Sequence, residues 1–311
     1  MTVSVIIPFY NLKDYVRPAL ESVVGASVVP GLKLEVICVD DGSTDGTSRL
    51  IDEFAAASAG SPAFDFRVLH KPNGGEGSAR NAGLAAASGE WVTFLDGDDV
   101  WFQDMLTAFA DVVGRHSSAD IIGFRFAPFE DGKELPHPPE AHTAEKEFAT
   151  KGFIPAAAVL DLGVFPTFFR RDRFSSVSFS ALPLGADRLY VAECLALSKR
   201  LVMSDRIVHG YRVREGSMAR AQWNERKIRS MVAFAADSLK ALVSSGKRIE
   251  PGGTEYLWDV LLQVTPKQLR RMSEDASGAR RHWLSALERV DAVGMSLWQR
   301  IKRFRYLHGR R

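Results

Sequence analysis

The chain has 311 residues, of which 46% are hydrophobic and 25% charged, a balance typical of a soluble globular protein with a sizeable core. Its net charge of +2 is unevenly distributed: residues 1–100 carry 7 basic and 14 acidic side chains, and the remaining 211 residues carry 33 and 24. The acidic first part argues against nucleic acid as the main ligand and is compatible with cation binding. The two cysteines, Cys38 and Cys194, lie in apolar stretches and are expected to be buried thiols, so no disulfide framework is predicted.

The sequence contains no recognisable targeting or membrane-spanning segment. Its first ten residues form a strand pattern that is too short and too polar at its flanks for a signal peptide. No apolar run reaches the ~18 residues that a membrane-spanning helix needs. We therefore expect a cytoplasmic protein.

The first 130 residues alternate strand and helix patterns, which predicts right-handed crossovers and a mainly parallel sheet with helices on both faces. In such sheets the ligand binds beyond the carboxyl ends of the strands. Residues 130–150 are polar and proline-rich and are predicted to form a loop, and the chain from about Gln222 onward is predicted to be helical almost throughout. The predicted strands are Val3–Phe9, Leu34–Asp40, Phe66–His70, Trp91–Leu95 and Asp120–Phe129, and the predicted helices are Asp14–Val24, Thr44–Ala57, Gly77–Ala87 and Phe102–Val113.

Three aspartates in four residues follow the fourth predicted strand. Asp96, Asp98 and Asp99 would repel each other if they were buried together, and a divalent cation relieves such repulsion. Mg²⁺ typically binds one or two protein carboxylates and takes further oxygens from substrate phosphates. The alternative is that the aspartates cap the helix predicted over Phe102–Val113, although one aspartate suffices for a cap. The pattern favours a metal–diphosphate site.

Polar residues also follow the first two strands. Tyr10 and Asn11 come after the first strand, and Asp40 and Ser43 come after the second. Ser43 and Thr44 are good N-caps for the second helix, and such runs are common in turns. A carboxylate at this edge can also accept a hydrogen bond from a base imide or a ribose hydroxyl. Both a turn and a ligand contact remain open for this segment.

A glycine-rich segment opens the third helix. Residues 73–81 (NGGEGSARN) offer backbone N–H groups that can bind phosphate. The segment lacks the Gly-Lys-Ser/Thr ending of a phosphate-binding loop, and it does not follow the first strand, so dinucleotide binding is disfavoured. Arg80 lies one turn into the helix and either contacts the ligand, which we favour, or forms a surface ion pair.

Together these segments resemble the inverting glycosyltransferases of family 2. The match covers residues 1–130 well and residues 160–220 in patches, in the family's order and spacing. It implies a Rossmann-like nucleotide-diphospho-sugar transferase fold with a catalytic domain at 1–220, in which 1–130 bind the nucleotide sugar and 131–220 the acceptor. Residues 221–311 lie outside the match, and their pattern predicts a helical C-terminal region. The segments that carry the resemblance are Val5–Asn11, Val39–Asp45, Asn73–Gly83 and Phe94–Asp99.

The resemblance implies roles for these residues in a donor site. Asp40 would contact the nucleoside base, and Pro8 and Tyr10 would line the nucleoside pocket. Asp96 would contact the ribose, and either Asp98 or Asp99 would bind Mg²⁺ or Mn²⁺. The full nucleotide-binding set implied is Pro8, Tyr10, Asn11, Asp40, Ser43, Arg80 and Asp96.

The resemblance also implies a general base beyond the first lobe. The family uses the Asp of a Gly-Glu-Asp segment that opens a helix, and the matching segment here is Gly185-Ala186-Asp187. Asp187 is therefore the candidate base, with Ala186 in place of the family's glutamate. Helix capping is the alternative role for Asp187.

A later segment, residues 209–218, resembles the one that closes over the donor diphosphate. It implies diphosphate contacts from Arg212, Arg214 and Ser217. We expect only one of the two arginines to face the site. His209 is a candidate third metal ligand, and simple packing in the core is its alternative.

The activity implied is metal-assisted transfer of a sugar from a nucleotide-diphosphate donor, with a UDP-sugar favoured, to an acceptor hydroxyl with inversion. Asp187 would accept the hydroxyl proton, and the cation and an arginine would stabilise the departing diphosphate. The implied acceptor is a saccharide or a lipid-linked molecule in bacterial surface polysaccharide or glycolipid synthesis. No nucleic-acid partner is expected.

The end of the chain leaves a further question open. Leu297–Leu307 has a basic amphipathic pattern, with six Lys/Arg and no acidic residues in 296–311. It either contacts the inner face of a membrane or packs as a terminal helix. Two functional alternatives remain: a catalytically silent nucleotide-sugar-binding or scaffold relative, which Ala186 supports, and a nucleotidyltransferase, which is disfavoured because no glycine-rich basic loop follows the first strand.

Overall fold

The fold is taken from a computed structural model, which describes residues 1–26, 29–135, 144–215 and 225–250, with side chains from 229 onward in the last range. The predicted basic helix at Leu297–Leu307 therefore lies outside the described residues. The strands are β1 Thr2–Phe9, β2 Lys33–Asp40, β3 Phe64–His70, β4 Trp91–Phe94, β5 Val100–Trp101, β6 Ile121–Glu130, β7 Glu145–Ala149, β8 Phe153–Ile154, β9 Thr167–Arg170, β10 Arg200–Val213 and β11 Arg248–Ile249. The helices are α1 Lys13–Val24, α2 Thr47–Ala57, α3 Glu76–Ala86, α4 Met105–Arg115, α5 Ala156–Asp161, α6 Ala186–Leu197 and α7 Glu225–Ser244.

The main sheet runs in the order β3-β2-β1-β4-β9-β6-β10-β5, and β7 pairs with β10. The strands β3, β2, β1 and β4 are parallel to one another, as are β6 and β10. Strand β9 is antiparallel to both of its neighbours, β4 and β6, and joins the two parallel parts. All five predicted strands are present, and the predicted mainly parallel α/β fold is confirmed.

Helices cover both faces of the sheet. Val5 and Ile7 of β1 belong to one buried cluster with Leu20 of α1 and with residues of α4. Ile6 points the opposite way, as alternation along a strand requires. A Cβ on Gly83 of α3 would lie 2.3 Å from Ile6 Cγ2, so α3 packs on this second face, and only glycine permits its close approach.

Two helix starts differ from the prediction. Helix α2 begins at Thr47. Its N-cap residue is Gly46, which has a left-handed φ of 98° and no side chain that could cap the helix. Ser43 and Thr44 were expected to cap this helix, and that expectation is wrong because both bond to other groups of the site. Helix α4 begins at Met105, not at Phe102. Strand β5 lies between the Asp96–Asp99 turn and α4, so the turn does not cap this helix.

The interpretation of residues 130–150 as a loop is wrong at Glu145–Ala149, which forms β7. The glutamates of this strand form ion pairs with other parts of the chain, so the strand does not depend on an apolar face. Arg115 pairs with Glu145, and Arg200 Nη1 lies 2.6 Å from Glu147 Oε1. A strand held in this way leaves no period-2 hydrophobic signal in its sequence.

The described residues fall into two compact units that interleave along the chain. Unit 1 contains those of Met1–Phe148, Gly163–Phe179 and Lys199–Ser217, and it holds nearly all of the main sheet. Unit 2 contains those of Ala149–Leu162, Ser180–Ser198 and Met218–Arg311, with α5, α6, α7 and the β8–β11 pair. The division at 1–130, 131–220 and 221–311 into donor, acceptor and helical parts stays a prediction.

Two simpler expectations concern cysteines and membrane spans. Cys38 and Cys194 are both buried and free, as predicted, and burial raises the pKa of Cys38 to about 12. Neither thiol is therefore a ready nucleophile at neutral pH.

Over the parts of the chain that the structure describes, no helix has both the length and the apolar character needed to cross a membrane.

Candidate active site

The loops that follow β1, β2 and β4 meet at one edge of the sheet in unit 1. The backbone N–H of Asp41 donates to Phe9 O at 2.9 Å, and that of Leu95 donates to Ile6 O at 3.1 Å. Because these strands are parallel, their carboxyl ends lie side by side. The polar residues after each strand are therefore close together, as the topology requires.

The loops after β1 and β2 are joined through Asn11, the one non-glycine residue with positive φ (52°) among the described residues. Its backbone N–H donates to Ser43 Oγ at 3.0 Å, and its Oδ1 accepts the N–H of Thr44 at 2.8 Å. Asn11 and Ser43 thus fix the shape of the edge. The neighbouring Tyr10 is 50% exposed, so its ring is available to a ligand.

Asp40 is a buried carboxylate with several protein donors. Its Oδ1 accepts the N–H of Ser43 at 3.1 Å, while Oδ2 accepts the Ser48 hydroxyl and lies 3.3 Å from His70 Nδ1. Burial alone would raise the pKa of Asp40, but these hydrogen bonds outweigh burial and lower it. His70 also contacts Asp52 at 3.0 Å, and the two carboxylates raise its pKa against the opposing effect of burial.

Asp41 was not among the predicted site residues, yet it organises the glycine-rich segment. Its carboxylate accepts the N–H of Gly74 at 3.0 Å and that of Gly75 at 2.8 Å, and it pairs with Lys71. The backbone N–H groups of Gly74 and Gly75, which were predicted to be available to phosphate, therefore donate to Asp41 instead. The sequence carried one signal for this role: Asp41 directly follows Asp40, and two adjacent side chains at the end of a strand point in opposite directions, so they contact different groups.

The turn after β4 packs tightly against the end of β1. A Cβ on Gly97 would lie 2.7 Å from Pro8 O and 2.6 Å from Phe9 Cδ1, so this position needs glycine. Arg80 is buried and donates to Asp96 Oδ1 and to Glu76 Oε1, each at 2.6 Å, and its contact with a ligand stays a prediction. Burial and the neighbouring carboxylates raise the pKa of Asp96, with Arg80 opposing them.

Asp99 and His209 form a buried pair. His209 Nε2 lies 2.9 Å from Asp99 Oδ2, and the N–H of Arg212 donates to Asp99 Oδ1 at 2.7 Å. Burial raises the pKa of Asp99 to about 8 and lowers that of His209 to about 3, so both shifts disfavour charge in this pair. His209 also stacks on Phe165, with ring centroids 5.1 Å apart.

Both arginines contact the acidic turn, so the expectation that only one would face the site is wrong. Arg212 Nε donates to Asp98 O at 2.6 Å, and Arg214 Nε donates to Asp98 Oδ2 at 2.6 Å. The reason is that residues two apart on a strand lie on the same face. The Tyr15 ring lies 5.1 Å from the Arg212 guanidinium and 5.4 Å from that of Arg214, and it orders the two side chains. Tyr15 was not predicted.

The acidic turn suits a cation that the substrate helps to bind. The described residues contain no preassembled group of three His, Cys, Asp or Glu side chains around a metal position. Asp99 uses both oxygens within the protein, whereas the Asp98 side chain is 19% exposed with Oδ2 on Arg214. Asp96 is likewise 20% exposed with Oδ1 on Arg80, and two partly exposed carboxylates in a crowded acidic turn fit Mg²⁺ or Mn²⁺ held jointly with phosphate oxygens.

Asp187 lies in unit 2, in the first turn of α6. The helix begins after Gly185, whose φ is 84°, and a Cβ there would lie 2.8 Å from Phe234 Cβ. The N-cap residue is Gly185, which has no side chain to form a capping bond, so both roles considered for Asp187, general base and helix capping, stay predictions. Ala186 is buried, and Ser217 lies outside the described residues.

Comparison with known proteins identifies the class to which this fold and site belong. The family model described as Glycosyl transferase family 2 matches residues 4–177, and the chain belongs to this family. It is a glycosyltransferase with the nucleotide-diphospho-sugar transferase fold.

Two curated relatives illustrate the match. The glycosyltransferase GlyA of Streptococcus pneumoniae serotype 4 is 25% identical over 289 residues, which is 88% of this chain but 39% of GlyA. The succinoglycan biosynthesis protein ExoO of Rhizobium meliloti is 30% identical over 229 residues, 70% of this chain and 62% of ExoO. The chain thus spans about two fifths of the length of GlyA.

Solved structures share the fold. Residues 1–349 of S. aureus TarS in complex with UDP-GlcNAc superpose with a TM-score of 0.72 at 20% identity, covering 99% of this chain and 89% of that one. The mannosyltransferase PcManGT of Pyrobaculum calidifontis, in complex with GDP-Man and Mn²⁺, has a TM-score of 0.58 at 19% identity, covering 96% and 77%.

Proposed function

We propose that the chain transfers a sugar from a nucleotide-diphosphate donor, with a UDP-sugar favoured, to an acceptor hydroxyl with inversion, in bacterial surface polysaccharide or glycolipid synthesis. The observation that carries the proposal is the position of Arg212 and Arg214 on the Asp96–Asp99 turn, at the carboxyl edge of a parallel sheet. Anion-binding and cation-binding groups lie together there, as a metal-bound diphosphate requires. TarS supports UDP as the nucleotide, and ExoO supports polysaccharide synthesis.

The nucleoside end of the donor would lie at the loops after β1 and β2. Tyr10 offers an exposed ring for stacking on the base, and Pro8 lies beside it. Asp40 is ionised by its hydrogen bonds and can accept from the base imide. Asn11 and Ser43 hold these two loops in place. A fixed edge of this kind reduces the entropy lost when the donor binds.

The diphosphate would lie between the acidic turn and the arginines. Between Asp98 and Asp99 we assign the cation to Asp98, because Asp99 is buried and bonded to His209 and to the backbone. His209 then acts by holding Asp99. A bound Mg²⁺ or Mn²⁺ supplies positive charge that stabilises the departing diphosphate. Arg212 and Arg214 supply further positive charge on the same side. The Mn²⁺ in PcManGT supports a metal in this fold.

Asp187 would act as the general base. It would accept the proton of the acceptor hydroxyl while the oxygen attacks the anomeric carbon, a role that contributes about 10²–10⁴-fold in rate. Attack opposite the leaving diphosphate inverts the anomeric centre, and the resemblance to inverting family members supports that outcome. Asp187 lies in the first turn of α6.

The test is turnover of a panel of nucleotide sugars with Mg²⁺ or Mn²⁺, comparing wild type with Asp98→Asn and Asp187→Asn. We expect one donor to react and both variants to lose activity. Asp161→Asn, which changes an exposed carboxylate of unit 2, is the matched control for Asp187→Asn and should keep full activity.

The competing function is a scaffold that binds nucleotide sugar without turnover. The observation that favours it is Ala186, which replaces the carboxylate expected beside the base. If wild type binds UDP in calorimetry but turns over no donor, the scaffold is supported. If UDP does not bind with either metal, both functions fail and the acidic turn is structural.

A further inference from the structure

Three aromatic side chains of unit 1 form a connected surface, which we call the aromatic platform: Phe165, Tyr211 and Phe126. The rings of Phe165 and Tyr211 stack with centroids 6.3 Å apart and planes within 10° of each other. Phe126 meets Tyr211 edge to face at 5.7 Å. The three rings therefore make one continuous surface and not separate contacts with the core.

The register of β6 and β10 explains why the rings lie on one side of the sheet. Phe126 of β6 is paired with His209 of β10, directly after a shift in register between Ile207 and His209. Side chains that are paired across parallel strands point to the same face, and Tyr211 shares that face because it lies two residues after His209. Phe165 precedes β9 and stacks on both His209 and Tyr211.

The platform begins at the acidic turn of the donor site. His209 connects the two, because it bonds to Asp99 at 2.9 Å and stacks on Phe165 at 5.1 Å. Tyr211 lies in the electrostatic field of the same turn: burial raises its pKa, and so do Asp99, Asp96 and Asp98. A molecule lying on the rings would therefore reach the turn where the sugar leaves its diphosphate.

The outer end of the platform is open. Phe126 is 46% exposed, Tyr211 and Phe165 are partly exposed, and an aromatic ring that leaves this much surface in water contributes little to the core. Flat rings with a phenol hydroxyl fit a pyranose, which presents a C–H face for stacking and hydroxyls at its rim.

We propose that the aromatic platform binds a pyranose unit of the acceptor saccharide and directs its hydroxyl toward the acidic turn. This inference rests on the proposed glycosyltransfer and adds to it the class of acceptor: a saccharide recognised through its ring face. Phe126 is the specificity-determining residue that the proposal adds. It contacts the acceptor and no part of the donor.

The test uses the full chain with UDP and Mg²⁺ present. Binding of tetrasaccharides of glucose, galactose, mannose and N-acetylglucosamine is titrated by saturation-transfer NMR for wild type, Phe126→Ala, Phe126→Trp and Leu135→Ala. Leu135 is a matched control because it is also an exposed apolar residue of unit 1, at 44%. UDP affinity is measured by calorimetry on each protein, which also shows that each is folded.

We expect at least one tetrasaccharide to bind wild type, and we expect Phe126→Ala to weaken this binding about tenfold, which is about 1.4 kcal/mol, because the substitution removes an aromatic contact face. Phe126→Trp and Leu135→Ala should stay within about twofold of wild type, and UDP affinity should not change.

The proposal is overturned if UDP binds but no tetrasaccharide does, or if Phe126→Ala binds saccharide as wild type does. It is also overturned if saccharides do not bind and Phe126→Ala instead abolishes sedimentation with phosphatidylethanolamine–phosphatidylglycerol vesicles, which would make the platform a membrane contact. A flat UDP titration of wild type contradicts the proposed function itself and removes the basis for an acceptor role.

Discussion

Two acidic turns follow the strands that flank β1, one at Asp40–Asp45 after β2 and the other at Asp96–Asp99 after β4. Both contain glycine and closely spaced aspartates, and both lie at the same edge of the same sheet. Their local sequences are similar, although three aspartates within four residues favour a metal site only in the second turn. The structure gives their carboxylates different surroundings.

In the first turn the aspartates receive hydrogen bonds from the protein. Asp40 accepts from Ser43, Ser48 and His70, and Asp45 accepts the N–H and the hydroxyl of Thr47. These bonds outweigh burial and lower the pKa of both carboxylates. The protein itself therefore supplies partners that favour the ionised form of both carboxylates.

In the second turn the aspartates crowd each other. Burial raises the pKa of Asp99 to about 8, and Asp98 adds to the increase. Asp96 is shifted in the same direction although Arg80 pairs with it. The two turns therefore differ in how far the protein itself pairs their carboxylates, and this difference supports the cation site that we propose at the second turn.

The largest effect is expected for Asp98→Asn. If the second turn binds a cation through Asp98, loss of that charge should lower kcat about 10²–10³-fold, as removal of one electrostatic contact to developing charge does. It should also raise the metal concentration needed for half-maximal turnover. Steady-state kinetics at several metal concentrations measure both. Asp65→Asn, at an exposed carboxylate on β3, is the control, and a loss of less than about tenfold for Asp98→Asn would contradict the cation role.

Asp41→Ala should be the most destabilising change in the first turn. Asp41 is buried and accepts from Lys71, Gly74 and Gly75, so its removal leaves buried donors unpaired. We expect a loss of about 3 kcal/mol in the free energy of unfolding, measured by urea denaturation. Asp65→Ala should change it by less than about 0.5 kcal/mol. Equal effects of the two substitutions would show that the glycine-rich segment does not depend on Asp41.

Gly97→Ala tests the fit of the second turn against β1. The added methyl would overlap Pro8 O and the Phe9 ring, which cannot both move away, so we expect a loss of about 1–3 kcal/mol in unfolding free energy. Gly114 lies inside α4 with no atom near its Cβ direction, and Gly114→Ala should instead stabilise by about 0.5–1 kcal/mol. Thermal denaturation of both variants measures the contrast, and an unchanged Gly97→Ala protein would mean that the turn can shift.

The smallest effect concerns His70, whose pKa is raised by Asp40 and Asp52. A raised folded-state pKa means that protonated His70 stabilises the fold below its ordinary pKa of about 6.5 and that this stabilisation is lost as the pH rises through the folded value. Wild type should therefore exceed His70→Gln in free energy of unfolding near pH 6, and this difference should close toward pH 9. We expect a difference of at most about 1 kcal/mol, because the His70 side chain is 45% exposed and water screens its ion pairs. Urea titrations at several pH values measure the gap, and a pH-independent gap would exclude this linkage.

Much of the fold could be predicted because its signals are local. Apolar runs such as Val3–Phe9 and helical spacing over Asp14–Val24 depend only on neighbouring residues, and the structure contains both elements within one residue of these bounds. Strand β7 could not be predicted, since its side chains are held by ion pairs with Arg115 and Arg200, at distant positions in the chain.

The site divides in the same way. The sequence by itself determined that acidic turns follow β2 and β4 and that a parallel sheet brings them to one edge. For the second turn, only the tertiary structure decided which carboxylates are satisfied, because the partners come from far along the chain: His209 bonds to Asp99 from 110 positions away and Arg214 to Asp98 from 116. The register between strands sets such partners, and no local pattern encodes that register.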